Sequence, residues 1–196
     1  MSTSGNITEF PAPGLRNPFR YITGHDSEGK AIFLQTDHGD HQAVMVEGAA
    51  AQNIFYSSNS NPINLNENVD LEFAKKHKPS LHMPNGCVVR MIDFGPGVES
   101  NLHRAICVGI GTVCEGEMEL SVDSGERRIL RPGDVSINRG AFHCWKNLSK
   151  DKPARMLYVL LDCDPLVVNG KTLDFDMGYL MKEYAEYDKS AVNGKN

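Results

Sequence analysis

The sequence contains no run of about 18 consecutive apolar residues, so it predicts no transmembrane helix. Residues 1–9 are polar and include no apolar segment typical of a secretory signal peptide. Basic charge is also scarce, because 20 Lys and Arg residues stand against 25 Asp and Glu residues and leave a net charge of −5. Nucleic acids and anionic membranes bind basic surfaces, so neither is expected as a partner. The composition therefore predicts a globular cytoplasmic protein.

Paired cysteines are missing as well. The five cysteines are odd in number and scattered, and no Cys-x-x-Cys pair occurs, so we expect reduced thiols in a cytosolic core. No glycine-rich nucleotide-binding pattern is present, which argues against a tightly held dinucleotide. The cysteines are Cys87, Cys107, Cys114, Cys144 and Cys163.

The first part of the chain, 1–86, carries short and varied signals. Prolines and a glycine in Met1–Pro18 predict an extended arm. The segments Arg20–Thr23 and Lys30–Gln35 flank a glycine-rich loop and predict a hairpin. A short helix is predicted over Val69–Lys78, just before a proline. We expect this whole part to pack on the core that follows.

From residue 87 the pattern changes to short apolar strands separated by turn signals. Such spacing over 87–165 is typical of an antiparallel barrel or sandwich. In the last segment, 166–196, apolar residues recur at helical spacing over Leu173–Tyr187, and Thr172 is a candidate N-cap. The sequence thus predicts one all-β domain with a short helix before the barrel and a C-terminal helix.

Two short blocks within this barrel carry the functional signal. The first contains Gly97 and His103, with Gly116 further on, and the second contains Gly133-Asp134 and His143, followed by Asn147. These blocks resemble the two motifs of the cupin family, in which a glycine precedes His-x-His, a Glu and a second glycine, and a later Gly-Asp precedes a His and an Asn. The resemblance implies a cupin-type double-stranded β-helix, or jelly-roll barrel, and two histidines in metal-ligand positions.

Half of the family's metal ligands are replaced here. Side chains alternate along a strand, so His103, Ala105, Cys107 and Gly109 share one face. The resemblance implies that this face looks into the barrel and that Ala105 and Gly109 stand where a second His and the Glu would be. A catalytic metal generally needs about three protein ligands. Iron or zinc at His103 and His143 would therefore need a further donor, such as Cys107 or Asp93.

The same residues suit acid–base chemistry without a metal. Histidine titrates near neutral pH, and burial or a carboxylate neighbour tunes it. We expect Asp93, by alternation with Met91, to point into the cavity and to orient one imidazole. His103, His143 and Asp93 are the predicted catalytic residues. The predicted substrate-binding residues are Trp145, Cys107, Ala105 and Gly109.

Three further candidates carry weaker signals. His38 and His41 lie in a polar segment, residues 37–41, that resembles a metal cluster but fits a surface loop better. Glu117 belongs to a group of acids around a turn and a strand. We expect most of these acids to be solvated, and Glu117 is the candidate among them for reaching the barrel rim.

Further stretches resemble small single-domain cupins from fungal and microbial secondary-metabolite clusters. They are 23–26, 102–104 and 133–140. The resemblance implies an oxidoreductase or a decarboxylase-, dehydratase- or isomerase-like enzyme acting on polyketide intermediates. From the histidine pair we expect proton transfer on a small polyketide-like or aromatic metabolite, by dehydration, isomerisation, cyclisation or decarboxylation. A metal-dependent oxidoreductase or dioxygenase is the second reading, and a non-catalytic binding barrel is the third. A homodimer through the exposed edge of the N-terminal strands is also expected.

Overall fold

The computed structural model describes residues 6–184, which form two antiparallel sheets with a cavity between them. The larger sheet has the strand order β3–β4–β5–β11–β6–β9, and the smaller has the order β10–β7–β8. The strands of the larger sheet are β3 (His41–Met45), β4 (Ala50–Ser58), β5 (Cys87–Phe94), β6 (Val108–Glu115), β9 (Val135–Arg139) and β11 (Ala154–Leu161). Those of the smaller sheet are β7 (Met118–Val122), β8 (Arg127–Leu130) and β10 (His143–Asn147).

The predicted all-β architecture is confirmed by these strands. Strand β11 lies at the centre of the larger sheet and pairs antiparallel with both β5 and β6. Apolar residues from both sheets are fully buried between them, among them Val88, Met118 and Met156. The five cysteines form no disulfide. Strands β3 and β4 belong to the same sheet as β5, although they lie within segment 1–86.

The N-terminal arm covers the outer face of the larger sheet. Ile7, Phe10 and Ala12 are buried, and they pack with Ala51 of β4 and Met91 of β5 in a second, smaller apolar cluster. The arm makes no strand between residue 6 and Pro18, as its prolines predict. It therefore turns the outer surface of the sheet into an interior.

The helix before the barrel is present, and the C-terminal one differs from the prediction. Helix α1 covers Val69–Lys76. Thr172 ends a two-stranded ribbon of β12 (Val167–Val168) and β13 (Lys171–Thr172) instead of capping a helix, and helical backbone begins only with the 3-10 helix Gly178–Tyr184. The rest of the predicted helix lies outside the described residues.

The extended C-terminal segment has a physical cause. The backbone of Asp176 exchanges two hydrogen bonds with Arg104, one from Arg104 N at 2.6 Å and one to Arg104 O at 3.0 Å. This bridge holds the chain extended where the sequence pattern predicts a helix. The apolar residues at helical spacing still face inward, since Leu180 and Tyr184 are buried against the main core. None of the helices within residues 6–184 is long and apolar enough to cross a bilayer.

The N-terminal hairpin stands apart from both sheets. Strands β1 (Arg20–His25) and β2 (Ala31–Asp37) pair only with each other among the described strands. Tyr21 is 63% exposed and Phe33 is 70% exposed. A lone two-stranded ribbon is at best marginally stable in water, so we expect a second copy of the chain to cover it.

Replacing both Tyr21 and Phe33 with Glu is expected to convert a homodimer into a monomer, because the charges would have to be buried at the shared surface. Multi-angle light scattering at micromolar concentration measures the change. Leu65→Glu, at a loop residue that is also highly exposed, is the matched control and should leave the dimer intact. A monomeric unmodified protein would contradict this prediction.

Candidate functional site

Backbone pairing brings His103 and His143 together. His103 N donates to His143 O at 2.8 Å, and His143 N donates to His103 O at 2.9 Å, so the two residues form an isolated antiparallel bridge. Both side chains are buried, and their ring centroids lie 4.2 Å apart with the planes tilted by 47°. Both rings line the cavity between the sheets. The two motifs thus place a pair of adjacent imidazoles in one cavity.

Backbone carbonyls determine the tautomer of both rings. His103 Nδ1 lies 2.8 Å from Asn101 O, and His143 Nδ1 lies 3.0 Å from Ala141 O. A carbonyl oxygen can only accept, so each Nδ1 carries the hydrogen and each neutral ring keeps its lone pair on Nε2. The pair therefore offers two proton acceptors to a ligand.

Burial keeps the two rings neutral. Burial and, after it, the neighbouring His103 lower the pKa of His143 to about 3, because a buried charge loses its hydration and two imidazolium ions would repel each other. Burial also lowers the pKa of His103, although its contact with the Asn101 carbonyl and the negative charge of Asp176 oppose the shift. Both rings are therefore uncharged at neutral pH, and the pair takes up no more than one proton readily.

The cavity has room for a small ring-shaped molecule. Its volume is about 120 Å³, and an apolar cavity of about 150 Å³ in another protein holds benzene. All four residues predicted to bind substrate line it, with Trp145 edge-on to His143 at a centroid distance of 6.2 Å. The other wall residues are mostly apolar and include Met45, Ile92, Phe94, Leu160, Met177 and Leu180.

The predicted place of Asp93 is wrong. Its carboxylate accepts from Arg155 Nε at 2.6 Å and Nη2 at 2.7 Å, and from Ala12 N at 2.8 Å. The residues of β5 that line the cavity are Arg90, Ile92 and Phe94, so the alternation puts Asp93 on the opposite face, under the N-terminal arm. Asp93 therefore cannot orient either imidazole.

The residues around the histidine pair do not fit a firmly held metal ion. Ala105 and Gly109 provide no donor atom, and no three His, Cys, Asp or Glu side chains are grouped for metal binding within residues 6–184. Cys107 lines the cavity, but burial raises the pKa of its thiol to about 12, so losing its proton to become a ligand is unfavourable there. Two imidazoles fall short of the three or four ligands that iron or zinc sites generally have.

The weaker candidates have structural roles. His38 Nδ1 lies 3.0 Å from Pro18 O, and His41 Nε2 lies 2.8 Å from Ala74 O. Arg20 binds the two aspartates of the same loop, so residues 37–41 hold the hairpin to the barrel. Glu117 pairs with Arg131 at 2.8 Å on the surface and does not line the cavity.

One cavity residue was missed by the sequence reasoning. Arg90 is 1% exposed and lines the same cavity as the histidines. Its signal was present, because it is one of two charged residues, with Asp93, inside the otherwise apolar strand β5. A charge in a buried strand is unusual and often marks a binding site or an ion pair.

Comparison with known proteins gives consistent results. A family model described as Cupin domain matches residues 90–160. The chain is 76% identical over 195 residues to the cupin-domain-containing oxidoreductase srdB of Neurospora crassa, which covers 100% of this chain and 99% of the relative. It is 49% identical over 178 residues to the cupin-domain-containing oxidoreductase fogC of Aspergillus ruber, covering 90% and 88%. Phomopsin biosynthesis cluster protein D of Diaporthe leptostromiformis is 35% identical over 165 residues, covering 83% and 87%.

Proposed function

This chain belongs to the cupin family, and we propose that it is an enzyme of secondary metabolism that moves protons on a small aromatic or polyketide-like substrate. The observation that carries the proposal is the adjacent pair of neutral imidazoles, His103 and His143, in an apolar cavity. The names of the relatives support an enzyme of fungal biosynthetic clusters. The donor set supports proton transfer over metal chemistry.

The geometry suits a proton shift between neighbouring atoms. One Nε2 accepts a proton from an acidic C–H or O–H of the substrate, and burial makes the resulting imidazolium a strong acid. The proton is then returned to an adjacent atom, directly or through the other ring 4.2 Å away. Apolar walls exclude water, so the proton is not lost to solvent. Isomerisation, dehydration and cyclisation all consist of such steps.

A proton shift can also exchange oxidation levels within one substrate. Moving one proton from a carbinol carbon to the oxygen of a neighbouring carbonyl gives an enediol. Moving the proton of the original hydroxyl to the former carbonyl carbon then exchanges the oxidation levels of the two carbons. The electrons stay within the substrate, so no external acceptor is consumed. His103 and His143 would serve as the base and the acid.

A metal-dependent oxidoreductase is the second candidate, and the relatives' names favour it. The two proposals differ in what a chelator does. We expect protein stripped with a chelator to retain its full rate on the metabolite that accumulates in cells lacking the protein, because the histidine pair itself transfers the proton. The rate is followed by liquid chromatography with mass spectrometry.

Elemental analysis of the untreated protein is the companion measurement. Near-stoichiometric iron or zinc that disappears in a His103→Ala variant would overturn the proton-transfer proposal. Loss of activity on chelation that Fe(II) or Zn(II) restores would overturn it as well.

The lowered pKa values predict an unusual pH profile. The active form has both rings neutral, and this form persists well below pH 6.5, the ordinary pKa of histidine, because burial disfavours the charged ring. We expect kcat/KM to stay level as the pH falls past 6.5 and to decline only in more acidic solution. Circular dichroism at each pH controls for unfolding. An acidic limb with its midpoint at or above 6.5 would contradict the neutral pair.

A further inference from the structure

Among residues 6–184, Arg90 is a buried cation without a carboxylate partner. Its Nη1 donates to Gln52 Oε1 at 3.1 Å and to the Tyr184 hydroxyl at 3.4 Å, and its Nη2 donates to Leu81 O at 2.8 Å and to Ser80 O. All four acceptors are neutral. The Nε atom is buried and makes no hydrogen bond within the described residues. One donor of the guanidinium is thus left without an acceptor.

The contrast with Arg155 shows what is missing. Arg155 is as deeply buried, but Asp93 accepts two of its hydrogen bonds and neutralises its charge. Arg90 has instead the face of the Tyr184 ring, 5.4 Å from the guanidinium carbon. Burial raises the pKa of Tyr184 and of Cys107, so both neighbours are uncharged. Leaving a charge buried without a counterion costs several kcal/mol.

The cavity as a whole is positively charged. Of the described residues that line it, Arg90 is the only Lys or Arg, and no Asp or Glu is among them. Both histidines are neutral at neutral pH, so Arg90 is left as the positive charge that a ligand anion would neutralise. An anionic group on the ligand would pair with Arg90, whereas a cationic ligand would find no carboxylate among the described lining residues.

We propose that Arg90 binds a carboxylate of the ligand, so that the cavity takes a small aromatic or polyketide-like acid. The carboxylate lies against Arg90 at the cavity wall and supplies the negative charge that its four neutral acceptors lack, and the rest of the molecule extends along the apolar walls toward His103 and His143. The direction of the reacting end rests on the proposed function, whereas the anion site itself does not.

Benzoate and benzamide test the anion site, because they share a ring and a shape and differ in charge. The single tryptophan, Trp145, lines the cavity, so its fluorescence reports binding. At pH 7.5 we expect benzoate to bind the unmodified protein at least about tenfold more tightly than benzamide, as a charge-assisted hydrogen bond in a buried site would give. Equal affinities would overturn the proposal, and this measurement needs no variant.

Substituting Arg90 then tests whether this side chain causes the preference for benzoate over benzamide. Arg90→Gln removes the charge and keeps an amide donor, and we expect it to reduce the ratio of the two affinities to about one. Arg104→Gln is the matched control, since Arg104 is a partly buried arginine that stacks on Phe142 outside the cavity lining, and it should keep the full ratio. A ratio that survives in Arg90→Gln would contradict the assignment.

Measurements on variants of the two histidines distinguish a failure of the anion site from a failure of the proposed function. If protonated imidazoles bound the benzoate, its affinity would fall as the pH rises from 6 to 9 and would be lost in a variant with both His103→Asn and His143→Asn; that result overturns the role of Arg90. We expect a constant affinity over this range and an unchanged preference in the double variant. Catalytic activity that survives in the double variant would overturn the proposed function and leave the anion site standing.

Discussion

Replacing His143 with Asn should lower kcat by about 10²–10⁴-fold, the usual contribution of a positioned acid or base. Asparagine keeps a polar group of similar length near the Ala141 carbonyl but has no nitrogen that takes up a proton. The barrel should still fold, because the bridge between residues 103 and 143 uses only backbone atoms. His103→Asn should have an effect of the same order, and the double variant should be little worse than either single one, since the two rings act as a unit.

Two observations make this test decisive. His25→Asn, at an exposed residue of β1, is the matched control and should retain the full rate. Thermal unfolding of each variant shows whether a lost rate reflects a lost fold. If neither substitution at residue 103 or 143 alters the rate, the barrel is a binding protein whose histidines only hydrogen-bond a ligand, and the proposed enzyme is rejected.

The histidine pair was predictable because the cupin motifs define both partners by local spacing. His103 follows its motif glycine, and His143 follows its Gly-Asp turn, so their place in the barrel depends on short stretches of chain. Strand alternation then correctly placed Ala105, Cys107 and Gly109 on the cavity wall. Because side chains alternate between the two faces of a strand, one residue of known orientation, here His103, predicts the orientation of its neighbours.

Asp93 shows where the same reasoning fails. No motif residue lies on β5 to say which face is inward, so the alternation had two solutions and the wrong one was chosen. The N-terminal arm packs on the outer face of the sheet and buries it as fully as the inner face, so burial alone does not show which way Asp93 points. A charged residue that is fully buried can lie on either face when both are covered. The arm's contacts are distant in sequence, and local pattern does not reveal them.

Contacts that are distant in sequence also determine the environment of Arg90 and the conformation of the C-terminal segment. The charge of Arg90 was visible in β5, but its environment depends on Gln52, Ser80 and Tyr184, which come from three distant segments. The helical spacing after Leu173 was real, yet the backbone bridge between Arg104 and Asp176 holds part of that segment extended. Tertiary contacts override local propensity in both cases.

Asp93→Asn should separate structure from catalysis, because Asp93 neutralises a buried arginine far from the imidazoles. Breaking one partner of a buried ion pair generally costs about 3–5 kcal/mol, a large share of the about 5–15 kcal/mol that holds a domain folded. We expect the free energy of unfolding, measured with urea, to fall by that amount, and kcat per folded molecule to stay unchanged. Glu72→Gln, which breaks an exposed pair with Lys76 on helix α1, should cost no more than about 0.5 kcal/mol.

The loss of unfolding free energy in Asp93→Asn should be smaller when the charge of Arg155 is removed as well. Asp93→Asn leaves the guanidinium of Arg155 buried with a neutral partner, so the penalty comes mainly from the uncompensated charge and not from the lost contact itself. Removing both charges, with Asp93→Leu and Arg155→Met together, should therefore be less destabilising than the single change, because an apolar pair carries no desolvation penalty. A variant Asp93→Asn that unfolds normally but loses kcat would instead return Asp93 to the catalytic site and contradict its placement under the arm.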